Sequence, residues 1–299
     1  EKGVTGRRLF YMLSRKLPFY EIENGIYEID EFDCVSVFVI VGEKRALVVD
    51  TGTGIGDLKW IIEQKITDKP YDVVLTHNHG DHTGGAGFFD EMWIHAADMD
   101  WIGATAPSVE FRKDYARTIK RRENKNYDYD VETDIRPWEK TPKLKRMTDG
   151  QVFDLGGRRV TAYHCPGHTA GEMVFIDDLT KTLLLGDACN CNLLLGRGFG
   201  SDPRDEIRTA KAALERLIGM KMKGEYEHFY NAHHDFRGFG QTLYPEALED
   251  ATKCFASILD GNAKFVEVPD RLFLDNPSRV VAEYGKVQIS YMDGRIDEV

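Results

Sequence analysis

The stretch YDVVLTHNHGDHTGG places His77, His79, Asp81 and His82 within six residues. A neutral imidazole offers one nitrogen lone pair and a carboxylate offers two oxygens, so such a cluster is either a metal cage or a polar turn rich in histidine. The rest of the chain decides between them. His168 lies in CPGHTAG, Asp187 in LLLGDA and His233 in NAHHD, each just past an apolar run. A mere turn would leave the other histidines without context, whereas here four segments each deliver a metal-capable side chain. Imidazoles mixed with carboxylates suit zinc, iron or manganese; a calcium site would be nearly all oxygen. His77, His79 and His168 can supply one ion, and Asp81, His82 and His233 a second, with Asp187 between them. Two ions about 3.5–4 Å apart share a hydroxide and stabilise the charge its attack creates. Asp81 can orient that nucleophile while binding the second ion.

The positioning elements are short strands. GIYEIDEF, VSVFVIVG and RALVVDTG read as strands separated by glycine and acidic turns, and the second is apolar almost throughout, as in a buried strand. DLKWIIEQKI carries apolar residues at helical spacing. YDVVLT is a strand ending where the histidines begin, and side chains delivered from a strand's C-terminal end are how α/β sheets build sites. HTGGAGFF is expected to start a helix, and MWIHA is the next strand. Residues 98–143 are dense in charge and tyrosine and read as an insertion covering the substrate. In the second half, Gly156-Gly157 marks a hairpin between VFDL and RVTAYH. EMVFID and TLLLGD pair across a DLTK turn. Asp202-Pro203 caps a helix whose inner face is Ile207, Ala210, Leu214 and Leu217. A second helix runs around Leu248, Ala251, Phe255 and Ile258, and KVQISYM is the last strand. The pattern repeats crudely without a linker, which predicts one domain over 1–299: an α/β sandwich of two halves with helices outside.

THNHGDHTGG resembles the His-x-His-x-Asp-His signature of metallo-β-lactamase-fold hydrolases. CPGHTAG is similar to that family's next histidine motif, LLLGDA to its aspartate motif and NAHHD to its last histidine, in the family's order and across roughly residues 25 to 290. The resemblance implies a four-layer αβ/βα sandwich and a dinuclear metallohydrolase with ligands at His77, His79, Asp81, His82, His168, Asp187 and His233, and with two divalent ions, zinc first and iron or manganese next. The family often has glycine before its last histidine; here Ala232 precedes His233 and His234 follows, and His233 is the better match. True β-lactamases of the family have cysteine or serine near the bridging position. Aspartate there resembles the glyoxalase II-like thioesterases and lactonases, as well as phosphodiesterases and RNA-processing nucleases. The oxygen-reducing branch carries glutamate at the second motif histidine, where this chain keeps His79.

Composition narrows the partners. A formal charge of -11 argues against nucleic acid, and no apolar run is long enough to span a bilayer. The start, EKGVTGRRLFYMLSRKLPF, lacks a continuous apolar segment and is read as a short packed helix of the mature protein. Five cysteines, Cys34, Cys165, Cys189, Cys191 and Cys254, make an odd, irregular set that fits buried thiols in a reducing, cytoplasmic setting. A homo-oligomer is compatible with this composition. Asp50 is expected to hold a nearby loop through hydrogen bonds. His95 and His228 are expected to be structural, and His164 either lines the pocket or supports His168. Tyr115, Tyr127, Tyr129, Trp138, Phe199 and Phe236 are candidates for a pocket wall, and Arg117, Lys120, Arg121 and Arg122 for a solvated face. A tyrosine, bound water or His234 is a candidate proton donor. The expected reaction is attack of a metal-bridging hydroxide on the acyl carbon of an ester, lactone or thioester in a small metabolite. The alternatives are phosphodiester hydrolysis and a non-catalytic metal-binding protein.

Overall fold

The computed structural model describes residues 13–104, 107–196, 202–234, 237–270, 277–291 and 296–298. The expected N-terminal helix falls mostly, and Phe199 and Phe236 wholly, outside them.

The first sheet has seven strands in chain order. β1 (Phe19–Glu23), β2 (Ile26–Asp30), β3 (Ser36–Val41) and β4 (Ala46–Val49) are antiparallel. β5 (Tyr71–Val74), β6 (Glu91–His95) and β7 (Lys143–Met147) continue in parallel. Between them lie α1 (Leu58–Ile61), which Asp57 caps before a π-turn over Ile62–Ile66, and α2 (Gly80–Thr83). After β6 come α3 (Ala96–Ala104), α4 (Val109–Glu123) and α5 (Val131–Asp134), which occupy most of the insertion.

The second sheet contains β8 (Gln151–Asp154), β9 (Arg159–His164), β10 (Met173–Asp177), β11 (Thr182–Leu184) and β13 (His228–Tyr230). A third sheet, not foreseen, joins β12 (Asn192–Leu195) to β14 (Lys264–Pro269), β15 (Ser278–Tyr284) and β16 (Val287–Tyr291). Only the last of these strands is evident from the sequence; the partly exposed β14 has little apolar pattern to announce it. Helices α6 (Pro203–Met222) and α7 (Ala247–Leu259) lie in the second half, and α6 starts as foreseen, with the Asp202 side chain accepting from Arg204 N–H.

Alternation along the strands makes the layers. Phe38, Ile40, Leu47, Val49 and Val74 of the first sheet meet Phe153, Val160, Ala162, Met173 and Phe175 of the second. Val37, Val39, Val48 and Val73 face the other way, toward Leu58, Ile61, Ala116 and Ile119 of the helices. Val174, Ile176 and Leu183 face Ile207, Leu214, Leu248 and Phe255. Helices, sheet, sheet and helices therefore stack as the expected four-layer αβ/βα sandwich. All five cysteines are buried and none is in a disulfide, and no described helix is long and apolar enough to cross a membrane.

Candidate metal centre

Strand ends carry the polar groups to one edge of the sandwich. β5 ends at Val74, and His77 and His79 follow in extended backbone. Asp81 and His82 sit on α2, which is one turn long. The helix expected to begin at HTGG thus starts earlier and stops sooner. A Cβ on Gly84 or Gly85 would lie 2.1 Å from Thr53 O or 2.3 Å from Thr51 O, so the close approach of this backbone requires glycine at both positions. His168, Asp187 and His233 arrive from the loops after β9, β11 and β13.

Two groupings foreseen from the sequence assemble, His77–His79–His168 and Asp81–His82–His233, and Asp187 joins His77 and His82 in a third that links them. Hydrogen-bond partners fix which nitrogen of each ring is free. His168 Nδ1 lies 2.6 Å from Leu194 O, a group that only accepts, so the proton sits on Nδ1 and Nε2 carries a lone pair. His82 Nδ1 donates to Asp50 Oδ2 at 2.8 Å, which again frees Nε2. His77 Nδ1 faces Thr76 Oγ1 at 2.9 Å and Glu172 Oε2 at 3.3 Å. The lone pairs of His77 Nε2 and His168 Nε2 then converge on His79 Nδ1, at 3.0 Å and 2.8 Å. One proton on His79 cannot satisfy both lone pairs well, whereas a cation satisfies all three nitrogens. In a tetrahedron with bonds of about 2.0–2.1 Å, neighbouring ligand atoms lie roughly 3.3 Å apart, so the spacing is close to that of a coordination shell.

The second grouping makes the same case with charge. His82 Nε2 and Asp187 Oδ1 are buried without a hydrogen-bond partner, an expensive state unless something else satisfies them. They lie 3.6 Å apart, and His233 Nε2 is 3.2 Å from Asp187 Oδ2 and 3.5 Å from Asp81 Oδ2. Burial opposes a proton on His82, but the carboxylates of Asp81, Asp50 and Asp187 outweigh it and push the ring up to about 10. Burial, then His168, lowers His79 to about 3, and burial likewise lowers His77 and His168. One half of the centre therefore presents neutral imidazoles and the other concentrates negative charge. Both are what divalent ions require, and the residues fit a dinuclear site.

The supporting residues were mostly missed. Asp50 was expected to hold a loop; in a left-handed conformation (φ 68°) it also orients His82 and accepts from Thr76 N–H at 2.7 Å. Glu172 is fully buried, accepts from Asp187 N–H at 3.0 Å and flanks His77, though no spacing marked it. Asp98 accepts from Thr169 and Gly171 beside His168, both at 2.8 Å. His164 stacks on His95 with centroids 4.1 Å apart and donates to Ala170 O at 2.9 Å, so it supports the turn after His168. His228 is exposed.

His234 turns away from the ligand nitrogens, toward Ser36 Oγ at 2.8 Å and Glu28 Oε1 at 3.2 Å. The aromatic side chains of the insertion are mostly packing groups. Tyr129 is buried against Phe32, Trp138 donates to Gly84 O at 2.8 Å, and Tyr127 donates to Asp33 Oδ2. Of the basic run, Arg117 pairs with Asp114 and Glu132 on the surface, while Lys120 lies 4.0 Å over the Tyr129 ring.

The model of the metallo-beta-lactamase superfamily matches residues 31–254, which takes in every one of these ligand candidates. The chain belongs to that superfamily. Among its relatives is an acyl-coenzyme A thioesterase, MBLAC2 of Gallus gallus, 27% identical over 250 residues, 80% of this chain and 82% of the other. The atrochrysone carboxyl ACP thioesterase dmxR1 of Cryptosporiopsis sp. (strain 8999) is 27% identical over 195 residues, 64% of this chain and 47% of the relative. Among solved structures, a metallo-beta-lactamase family protein from Thermus thermophilus superposes with a TM-score of 0.54 at 19% identity, covering 81% of this chain and 82% of the other. At that identity the superposition speaks for the superfamily's fold alone. Membership and the paired ligand clusters make the chain a metal-dependent hydrolase.

Proposed function

We propose that this hydrolase cleaves a small-molecule thioester, with His77, His79 and His168 holding one zinc ion, Asp81, His82 and His233 a second, and Asp187 bridging them. The observation that carries the metal reading is the set of buried ligand-type atoms with no hydrogen-bond partner, His82 Nε2 and Asp187 Oδ1 foremost. Two ions bound there would supply a nucleophilic hydroxide at neutral pH and neutralise the oxyanion that forms on the acyl carbon. Donor chemistry favours zinc, with iron or manganese next, since imidazole and carboxylate suit all three. The aspartate at 187 fits the glyoxalase II-like and lactonase-like branch.

The chain's own residues then have distinct tasks. Asp81 Oδ2, 3.5 Å from His233 Nε2 and 3.8 Å from His82 Nε2, accepts the proton of the attacking oxygen and holds its orientation. Two protein candidates for protonating a leaving group are engaged elsewhere: His234 with Ser36 and Glu28, and Tyr115, whose hydroxyl donates to Cys34 O at 3.2 Å. An alkoxide leaves poorly without such a donor, whereas a thiolate, with an ordinary pKa of about 8.5, needs none. That difference favours thioester over ester or lactone, and both relatives described above carry thioesterase names.

The 98–143 insertion covers the substrate in this reading. Phe111, half exposed on α4, lies where a Cβ on Gly80 would come within 2.5 Å of its ring, and so stands next to Asp81 at the rim. Five buried cysteines with no disulfide among them fit a reducing, cytoplasmic setting. The test compares an acyl-coenzyme A with a chromogenic phosphodiester on zinc-loaded protein. The reading expects acyl turnover to exceed phosphodiester turnover by at least about a hundredfold in kcat/KM, or roughly 2.7 kcal/mol. Comparable rates would move the chain to the phosphodiesterase reading.

A further inference from the structure

We infer that the buried Glu28–Arg237 ion pair is the positioning device for His233, and through it for the second ion's subsite. The inference rests on the two-ion reading above. Three of the other four candidate ligand rings have an acceptor behind them: Leu194 O for His168, Asp50 for His82, and Glu172 with Thr76 for His77. No described residue accepts from His233 Nδ1, so this ring takes its place from its backbone.

That backbone is gripped on both sides. Arg237 donates to Asn231 Oδ1 at 2.7 Å and to Asn231 O at 2.6 Å, two residues before the ligand. Its own N–H donates to His234 O at 3.3 Å, one residue after. Ala232 O accepts from Ser36 N–H at 2.7 Å, and Ala232 N–H donates to Gly186 O at 2.9 Å, next to Asp187. Asn231 also donates to Asn190, so the two loops delivering His233 and Asp187 are stitched together.

Glu28 anchors the assembly. Its side chain, like that of Arg237, has no exposed surface, and Oε1 accepts from Arg237 at 2.6 Å and from Ser36 Oγ at 2.6 Å. Its other oxygen accepts from Gly240 N–H at 2.8 Å. Glu28 lies on β2 of the first sheet, whereas residues 231–240 follow β13 of the second. Apolar side chains of equal volume often stabilise a fold as well as a buried ion pair does. What the pair adds is direction: a planar guanidinium can aim several N–H groups at fixed carbonyls at once.

The experiment measures ion uptake by equilibrium dialysis with elemental analysis, and the absorption of the cobalt-loaded protein, for the full chain and four variants. Arg237→Met and Glu28→Gln break the pair, Arg237→Lys keeps the charge without the fork, and Arg158→Met removes a comparable buried arginine elsewhere. The expected result is two ions in the unsubstituted protein. In Arg237→Met and Glu28→Gln, the first ion is retained and the second is bound about 10–100-fold more weakly, the usual cost of losing a supporting partner. Arg237→Lys falls between, and Arg158→Met binds both ions normally. Should Arg237→Met fail to fold, the nearly isosteric Glu28→Gln decides. Unchanged second-ion affinity in a folded pair variant, or an equal loss in Arg158→Met, overturns the inference. Fewer than two ions in the unsubstituted protein overturns the two-ion reading and the inference with it.

Discussion

Arg158 and Arg237 are both buried, both paired with a carboxylate, and both donate to backbone carbonyls, distant in sequence for Arg158 and close to it for Arg237. Arg158 binds Asp177 through two nitrogens at 2.8 Å and 2.9 Å, and donates to Val41 O and Asn24 O at 2.9 Å each. Strand β3 shows where each pair lies. It begins at Ser36, which touches the turn carrying His233, and ends at Val41, which receives Arg158. The same physical device therefore closes both ends of the sandwich. At the Val41 end it ties a hairpin base to the first sheet and nothing more. At the Ser36 end its acceptors belong to the turn that carries the candidate ligand His233, so an error in geometry there would become an error in chemistry.

The strongest way to break this contrast is at the ligand edge itself. Asp187→Ala should lower kcat/KM by on the order of 10⁴-fold, since it removes the carboxylate that groups with His77 and His82 and is proposed to bridge the two ions. A variant retaining a tenth of the activity would end the case for this edge as the active one. Next, Arg158→Met should cost about 3–5 kcal/mol in urea unfolding by leaving Asp177 buried without its partner. Its kcat/KM per folded molecule should stay unchanged; a parallel fall in activity would erase the distinction between the two ends.

A third test uses acid. Burial alone would raise the Glu28 carboxyl, yet the bonds from His234 and Arg237 prevail and hold it at about 2, below its ordinary 4.5. A carboxyl lowered in the folded state adds stability above its unfolded pKa and loses it as pH falls through the folded one. Unfolding monitored between pH 4.5 and 2 should therefore show a loss of up to about 3 kcal/mol that is missing in Glu28→Gln. The same slope in both proteins would remove Glu28 from the account. The smallest effect belongs to the rim: Phe111→Ala should raise KM for an acyl thioester about tenfold with kcat nearly constant, as expected for lost uniform binding. An unchanged KM would free the insertion of its covering role.

Much of the edge was legible because a strand end has a plain signature. An apolar run stops and a polar, turn-forming group follows, and this recurs at His77, His168, Asp187 and His233. The Gly156-Gly157 hairpin and the Asp202-Pro203 helix start were readable for the same reason, since each is a local choice of backbone. The groups behind the ligands were not readable. Glu172, Glu28 and Arg237 sit in segments where a charge is ordinary, and only burial distinguishes them. The helix after the histidines is shorter than its sequence suggests, and the two glycines that follow it lie against the backbone of 51–53, a contact no local pattern announces.

The sequence by itself determined which side chains have the chemistry for two ions, which strands deliver them, and that helices flank two apolar sheets. These follow from side-chain type and from period, which act over a few residues. Tertiary structure alone decided which nitrogen of each ring is free, that His233 and not His234 turns inward, and that strands from both ends of the chain's second half close a third sheet. Each of those outcomes depends on an acceptor or a partner strand distant in sequence, and no local pattern encodes where the fold will bring it.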